Sequence, residues 1–155
     1  MHVSEKPQAA NIKFDNPVIK FPNFTGRPTK FAPKGGVRSF KVELDDDLAK
    51  QLDEEGWNVQ WPKKEEYSPM LEVFVNYDYS KSFPIHIRMV QEGASPVELD
   101  EESCYMIDSA EIMRSKIVVR PRPWQDDDGS WAIKAYLKDM KFEIPADIFS
   151  EDDEW

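Results

Sequence analysis

A mostly β fold with one short helix is what the sequence predicts, and three observations carry it. Runs of alternating apolar and polar residues recur along the chain at strand length. One stretch alone has helical spacing. Nowhere do strands and helices alternate in the rhythm that a parallel α/β sheet demands. With 155 residues, the chain is long enough for a single domain with its own core.

Residues 1–10 hold Pro7, two alanines and little that could pack, which predicts a flexible arm. Residues 11–24 are β-like but interrupted by Pro17 and Pro22, as expected of an edge strand or a bulge. The turn sequences Thr25-Gly26-Arg27-Pro28 and Pro33-Lys34-Gly35-Gly36 then bound a loop. Over 37–44, Phe40, Val42 and Leu44 alternate with Lys41 and Glu43, a half-buried strand. The helix spans 46–55. An aspartate at its start can cap free N–H groups, Gly56 can take the left-handed position past its end, and Leu48, Ala49 and Leu52 form its apolar stripe.

A short strand over 57–61 and a polar loop over 62–69 follow. In 70–79, Leu71, Val73, Val75, Tyr77 and Tyr79 share one face; in 84–90, Ile85, Ile87 and Met89 do. Residues 98–105 are ambiguous between strand and helical turn. Two long strands, 112–124 and 131–144, form a hairpin around Gln125-Asp126-Asp127-Asp128-Gly129, where Asp-Gly is a turn signal. Strand count and size fit a five-stranded barrel of the oligonucleotide/oligosaccharide-binding (OB) type, with extra strands and one short helix, over residues 11–144. An acidic tail, 145–155, completes the chain.

Charge is distributed unevenly. The formal net charge is −10, yet residues 11–42 sum to +6, residues 43–144 to −11 and residues 145–155 to −5. In the basic stretch, seven cations interleave with Phe14, Phe21, Phe24, Phe31 and Phe40. The late hairpin repeats the theme. Alternation sets Lys116, Arg120, Arg122 and Trp124 on one side of its first strand and Lys134, Tyr136 and Lys138 on one side of its second. Cations spaced among rings suit a polyanion with stackable bases, because the cations meet phosphates and the rings offer flat apolar plates. The residues expected to form such a groove are Phe24, Arg27, Lys30, Phe31, Lys34, Arg38, Arg120, Arg122, Trp124, Lys134, Tyr136 and Lys138. Each ring has a competing reading as core, since large aromatics are buried more often than they bind.

Other classes find less support. There is no HExxH, CxxC pair, GxxxxGKS, GxGxxG or GxSxG sequence, and only two histidines. Asp45–Asp47 and Asp126–Asp128 read as a helix cap and a turn, so neither an enzyme nor a metal or other cofactor is expected. An acidic protein-interaction module, mimicking DNA to inhibit a host DNA-binding protein, is favoured by the −11 segment and opposed by the clustered cations. Cys104 is the single cysteine, which excludes an internal disulfide and suits a reducing cytoplasm, and no apolar run is long enough for a membrane span. Oligomeric state is open, a homodimer included.

The order of these features resembles phage single-stranded DNA-binding proteins. The likeness lies in IKFPNFTGRPTKFAPKGGVRSFKVEL, in a short helix closing in GWNVQW, in RPRPW followed by IKAYLKDMKFEI, and in an acidic tail ending in an aromatic. It implies an OB barrel that coats single-stranded DNA without strong sequence preference during replication or recombination, in the cytoplasm of a bacterial host. It also implies that the tail, Asp147, Phe149, Glu151, Asp152, Asp153, Glu154 and Trp155, recruits replication or recombination proteins, while the tail's own negative charge suggests that it competes with DNA for the groove.

Overall fold

The computed structural model describes residues 3–77 and 84–146. In chain order these hold β1 (Ile12–Asp15), β2 (Ile19–Asn23), β3 (Ser39–Glu43), α1 (Asp46–Glu55), β4 (Val59–Gln60), β5 (Met70–Phe74), β6 (His86–Gln91), β7 (Val97–Leu99), a 3₁₀ helix (Cys104–Ser109), β8 (Arg114–Gln125) and β9 (Trp131–Ile144). The strands form one sheet in the order β1-β8-β9-β5-β3-β2, with β4 added to β5 and the β6–β7 pair added to β9.

The β8–β9 hairpin is the spine. Its register runs from Gln125 opposite Trp131 to Arg114 opposite Glu143 and breaks once, between Val118 and Val119, where β9 carries Lys138 as an extra residue. That bulge keeps Leu137 and Met140 on the same buried face although they are three residues apart. Being long, β9 serves two further partners. Ala135 and Tyr136 pair in parallel with β5, and residues 139–144 pair in parallel with β6.

Mostly β architecture holds, but among the described residues the sheet is not closed into a five-stranded barrel. β1 pairs with β8 and β2 with β3, so the two ends of the order are not joined by a ladder. The proline-interrupted run of 11–24 is in fact two strands at opposite edges, and only residues 16–18 separate them. Four peptide links reach at most about 14 Å, so the sheet must roll until its edges approach. Asn16 turns this corner in the left-handed region, at φ 54°. The 3₁₀ helix covers the open seam: the Asp108 carboxylate accepts from the Phe24 N–H (2.7 Å), the Thr25 N–H (3.0 Å) and the Thr25 hydroxyl (2.6 Å).

One face of the rolled sheet encloses the core. Phe24 and Phe40 stack at 5.3 Å between centroids and 14° between planes, among Trp57, Leu71, Ile87, Ile107, Ile133, Met140 and Phe142. Helix α1 lies where its pattern places it and buries Ala49 and Leu52. Asp45 caps it, accepting from the Leu48 N–H at 2.7 Å, and Gly56 ends it at φ 102°. Trp57 makes a parallel bridge to Ile133, so only Val59 and Gln60 of 57–61 are strand. The ambiguous 98–105 divides between β7 and the 3₁₀ helix. The segment expected as a free arm is tied down in this structure, with Val3 bridging Trp131 (2.8 and 2.6 Å) and Lys6 lying 5.9 Å from the Trp131 ring. Tyr79 lies outside the described residues.

Two consequences can be measured by chemical denaturation. Phe24→Ala should cost about 3 to 5 kcal/mol, the range for emptying a packed aromatic site. Asp108→Ala removes a charged acceptor shared by three donors; it should cost on the order of 2 kcal/mol, and a loss below a few tenths would mean that the seam does not need this clamp.

Candidate nucleic-acid interface

The other face of the sheet looks outward. Residues opposite each other in a ladder share a face, so one rung reads Asn23, Ser39, Phe74, Tyr136, Arg120 across β2, β3, β5, β9 and β8. The next residues along the hairpin place Arg122 opposite Lys134 and Trp124 opposite Ala132. On β3 and β2, Lys41 lies opposite both Glu72 and Lys20. The face is thus a platform of cations and rings.

Its cations rest on those rings. Lys134 Nζ is 4.9 Å from the Trp124 centroid and 5.8 Å from that of Phe74. The Arg122 guanidinium is 5.2 Å from the Tyr136 ring and donates to the Tyr136 hydroxyl at 2.8 Å. Phe74 and Tyr136 meet at 6.0 Å with a tilt of 57°. Such contacts hold long side chains over flat surfaces where a base could replace them.

At the β2 edge, Phe21 adopts φ 49°, where the β2–β3 register shifts between Lys20 and Asn23. A bulky side chain in the left-handed region is a strained outlier. The bulge turns the ring away from the core. It is 68% exposed, with Lys41 Nζ at 5.6 Å.

From the Asn23–Ser39 end of the platform rung rises the loop of residues 24–38. The Asn23 side chain fixes its base, accepting from the Gly26 and Arg27 N–H groups (3.1 and 2.9 Å) and donating to the Arg27 carbonyl (3.1 Å). Gly36 N–H closes on the Gly26 carbonyl at 2.8 Å, and both glycines have positive φ. Arg27, Lys30, Phe31 and Lys34 are exposed on this loop, Phe31 at 92%. Their cations and ring stand beside the platform.

Three expected residues have other roles. Phe24 is fully buried against Phe40, so no base can reach it. Arg38 points to the core side, where its Nε donates to the Phe24 carbonyl (3.0 Å) and its guanidinium meets Glu101 at 3.5 Å and the Tyr77 ring at 5.7 Å. It braces the loop. Tyr136 keeps its predicted face but is only 8% exposed, a floor beneath Arg122. Arg120, Arg122, Trp124 and Lys134 gather on the platform, and Lys138 marks the bulge. Burial raises the phenol pKa of Tyr77 and the thiol pKa of Cys104 next to Arg38, so both remain protonated at neutral pH.

The sequence reading passed over Phe21, Lys41 and Phe74. Period two already set Phe74 opposite Leu71 and Val73, but its neighbours on the platform depend on strand order. Asp147, Phe149, Glu151, Asp152, Asp153, Glu154 and Trp155 lie outside the described residues. Among the described residues there is no cluster of three metal-ligating side chains, and no helix is long and apolar enough to cross a membrane.

Known proteins share this fold. A single-stranded DNA-binding protein from bacteriophage Enc34 is similar over 100% of this chain and 96% of its own, at 13% identity and a TM-score of 0.52. The same phage protein in complex with single-stranded DNA is similar over 93% of this chain and 88% of its own, at 16% identity and a TM-score of 0.52. At these identities the likeness is one of fold. No curated protein matches significantly. The family described as "Putative phage ssDNA-binding domain" matches residues 2–152, and the chain therefore belongs to the phage single-stranded DNA-binding domain family.

Proposed function

We propose that the protein binds single-stranded DNA on the outer face of β8, β9, β5, β3 and β2, without strong sequence preference, and coats strands exposed during phage replication or recombination. The observation that carries this is the cation–ring platform itself, in which Arg122 and Lys134 face each other across the hairpin above Trp124, Phe74 and Tyr136. Bases stack on Trp124, Phe74 and Phe21. The displaced Lys134 and Lys41 then turn to the phosphates, so one movement trades a cation–ring contact for a base–ring contact and an ion pair. Stacking of this kind uses a face that every base has, which is why sequence matters little.

The exposed loop cations Arg27, Lys30 and Lys34, with Phe31, close over the strand from the side. The acidic segment 147–155 competes for the same cations in the free protein. DNA releases it to meet replication or recombination proteins, so coating and recruitment are linked through one site. A DNA mimic would need acids on this face, and the rungs hold mainly cations and rings.

The sharpest test uses Phe21, because it is exposed and strained. Asparagine tolerates the left-handed region better than phenylalanine does, so Phe21→Asn should keep or raise the melting temperature. It should weaken oligo-dT binding by about 1 to 3 kcal/mol, the value of one stacked base. Unchanged affinity in a titration would remove Phe21 from the site. Deleting residues 147–155 should tighten oligo-dT binding at low salt, with the gain shrinking as salt rises and screens the competing charges. Equal affinities at low salt would end the competition model.

A further inference from the structure

The cationic face continues past the platform. Beyond the β9 bulge, Arg88 on β6 lies opposite Lys141 on β9, and Lys141 lies opposite Lys116 on β8. All three are exposed. Among the described residues, none of them has a carboxylate within 4.0 Å. Asp15 and Glu98 stand in register at the two ends of this row, yet Glu98 turns to His86 at 3.0 Å. Arg114, one step further along β8, is neutralised by Glu143 at 2.6 Å.

Like charges directly opposite each other destabilise a sheet. Three in a row, on a chain whose net charge is −10, stand out because, among the described residues, the acids nearest in register, Asp15 and Glu98, make no ion pair with them. Folding gains nothing from that arrangement. A ligand with closely spaced negative charges would. Beside the row opens a cleft of about 550 Å³ lined by the cations Arg114, Lys116 and Lys141 and by the acids Asp15 and Glu143, the last of which pairs with Arg114. Along β8 the outward cations Arg122, Arg120, Lys116 and Arg114 fall on one side at even spacing, two residues or about 6.7 Å per step, with Val118 in the one gap. At that gap Lys13 faces Val118 and Val118 faces Asp139, a charge-balanced rung.

We infer that the DNA track runs the length of β8, from the rings around Trp124 to the Arg88–Lys141–Lys116 row, and that this row holds the sugar–phosphate backbone of the same strand beyond its stacked bases. The inference rests on the function proposed above and extends it to a second, ring-free subsite. In the row the contacts are to phosphate alone, and they add affinity and salt dependence without base preference. The row lies about 27 Å along β8 from Trp124, eight residues to Lys116, so only oligonucleotides long enough to pass the bulge engage both subsites.

The test uses the full chain, with the variant Arg88→Gln/Lys116→Gln/Lys141→Gln beside Lys141→Gln alone. Binding is titrated against oligo-dT of about 5 and about 15 nucleotides, within the range of site sizes known for one such domain, at several salt concentrations. The expected result has three parts. Melting temperatures stay equal or rise, because opposed cations have been removed. Binding of the short oligonucleotide matches that of the unmodified protein. For the long one, the slope of log K against log salt shrinks by about 2 in the triple variant and by about 0.7 in the single one. An unchanged slope and affinity on the long oligonucleotide overturns the second subsite while leaving the platform intact, as does an equal loss on both lengths. Unmodified protein that binds neither length overturns the platform reading itself.

Discussion

The outward display of charge on this protein depends on one unpaired residue in β9. Upstream of Lys138 the apolar residues occupy odd positions, Ile133, Ala135 and Leu137; downstream they occupy even ones, Met140, Phe142 and Ile144. A regular strand with that sequence would send either the first set or the second to solvent. The bulge absorbs the change of parity, so the inner face of the hairpin stays apolar apart from Ser115. The outer face then receives Lys134 and Tyr136 on one side of the bulge and Asp139, Lys141 and Glu143 on the other. Because β9 also pairs with both β5 and β6, this single irregularity decides which side chains of four strands point outward together.

Much of this was legible in the residues. Helix α1, its two caps, the Asp-Gly hairpin and the inward rows of β3, β5 and β8 follow from local chemistry, which acts within a few residues. The alternation that put Arg120, Arg122 and Trp124 on one side of the hairpin also held. What escaped was long-range. Nothing in residues 11–24 tells that their two halves pair at opposite edges of the sheet, so the seam and the 3₁₀ helix across it were invisible. Phe24 and Phe31 look alike between turn residues. One is clamped beneath the Asp108 contacts and stacked on Phe40, and the other stands on an exposed loop. Arg38 misled for a similar reason: it belongs to a basic run, but its place before β3 turns it toward Tyr77 and Glu101.

Stability has been given up on the outer face in two separate ways. Phe21 holds a backbone conformation that costs of order 1 to 3 kcal/mol. Cations oppose cations at Lys20 and Lys41, at Arg122 and Lys134, and at Lys116 and Lys141. Neither feature closes the core, and both could be relieved by single substitutions. Their coincidence on one face, while the inner face is packed without such conflicts, is the pattern expected where binding rather than folding sets the residues.

For an acidic protein with a basic face, the proposed binding site would also fix the orientation toward DNA. Charges separated by more than a Debye length, about 8 Å at physiological salt, barely sense each other. The carboxylates of α1, among them Asp46, Asp47, Glu54 and Glu55, lie on another element than the strands that carry Lys134 and Lys141. They still matter at short range, because a strand that strayed onto α1 would meet a surface of its own sign. On the track inferred above, attraction along β8 and repulsion elsewhere would restrict a flexible polyanion to one path. That restriction would supply the specificity for a track that base-blind stacking alone could not provide.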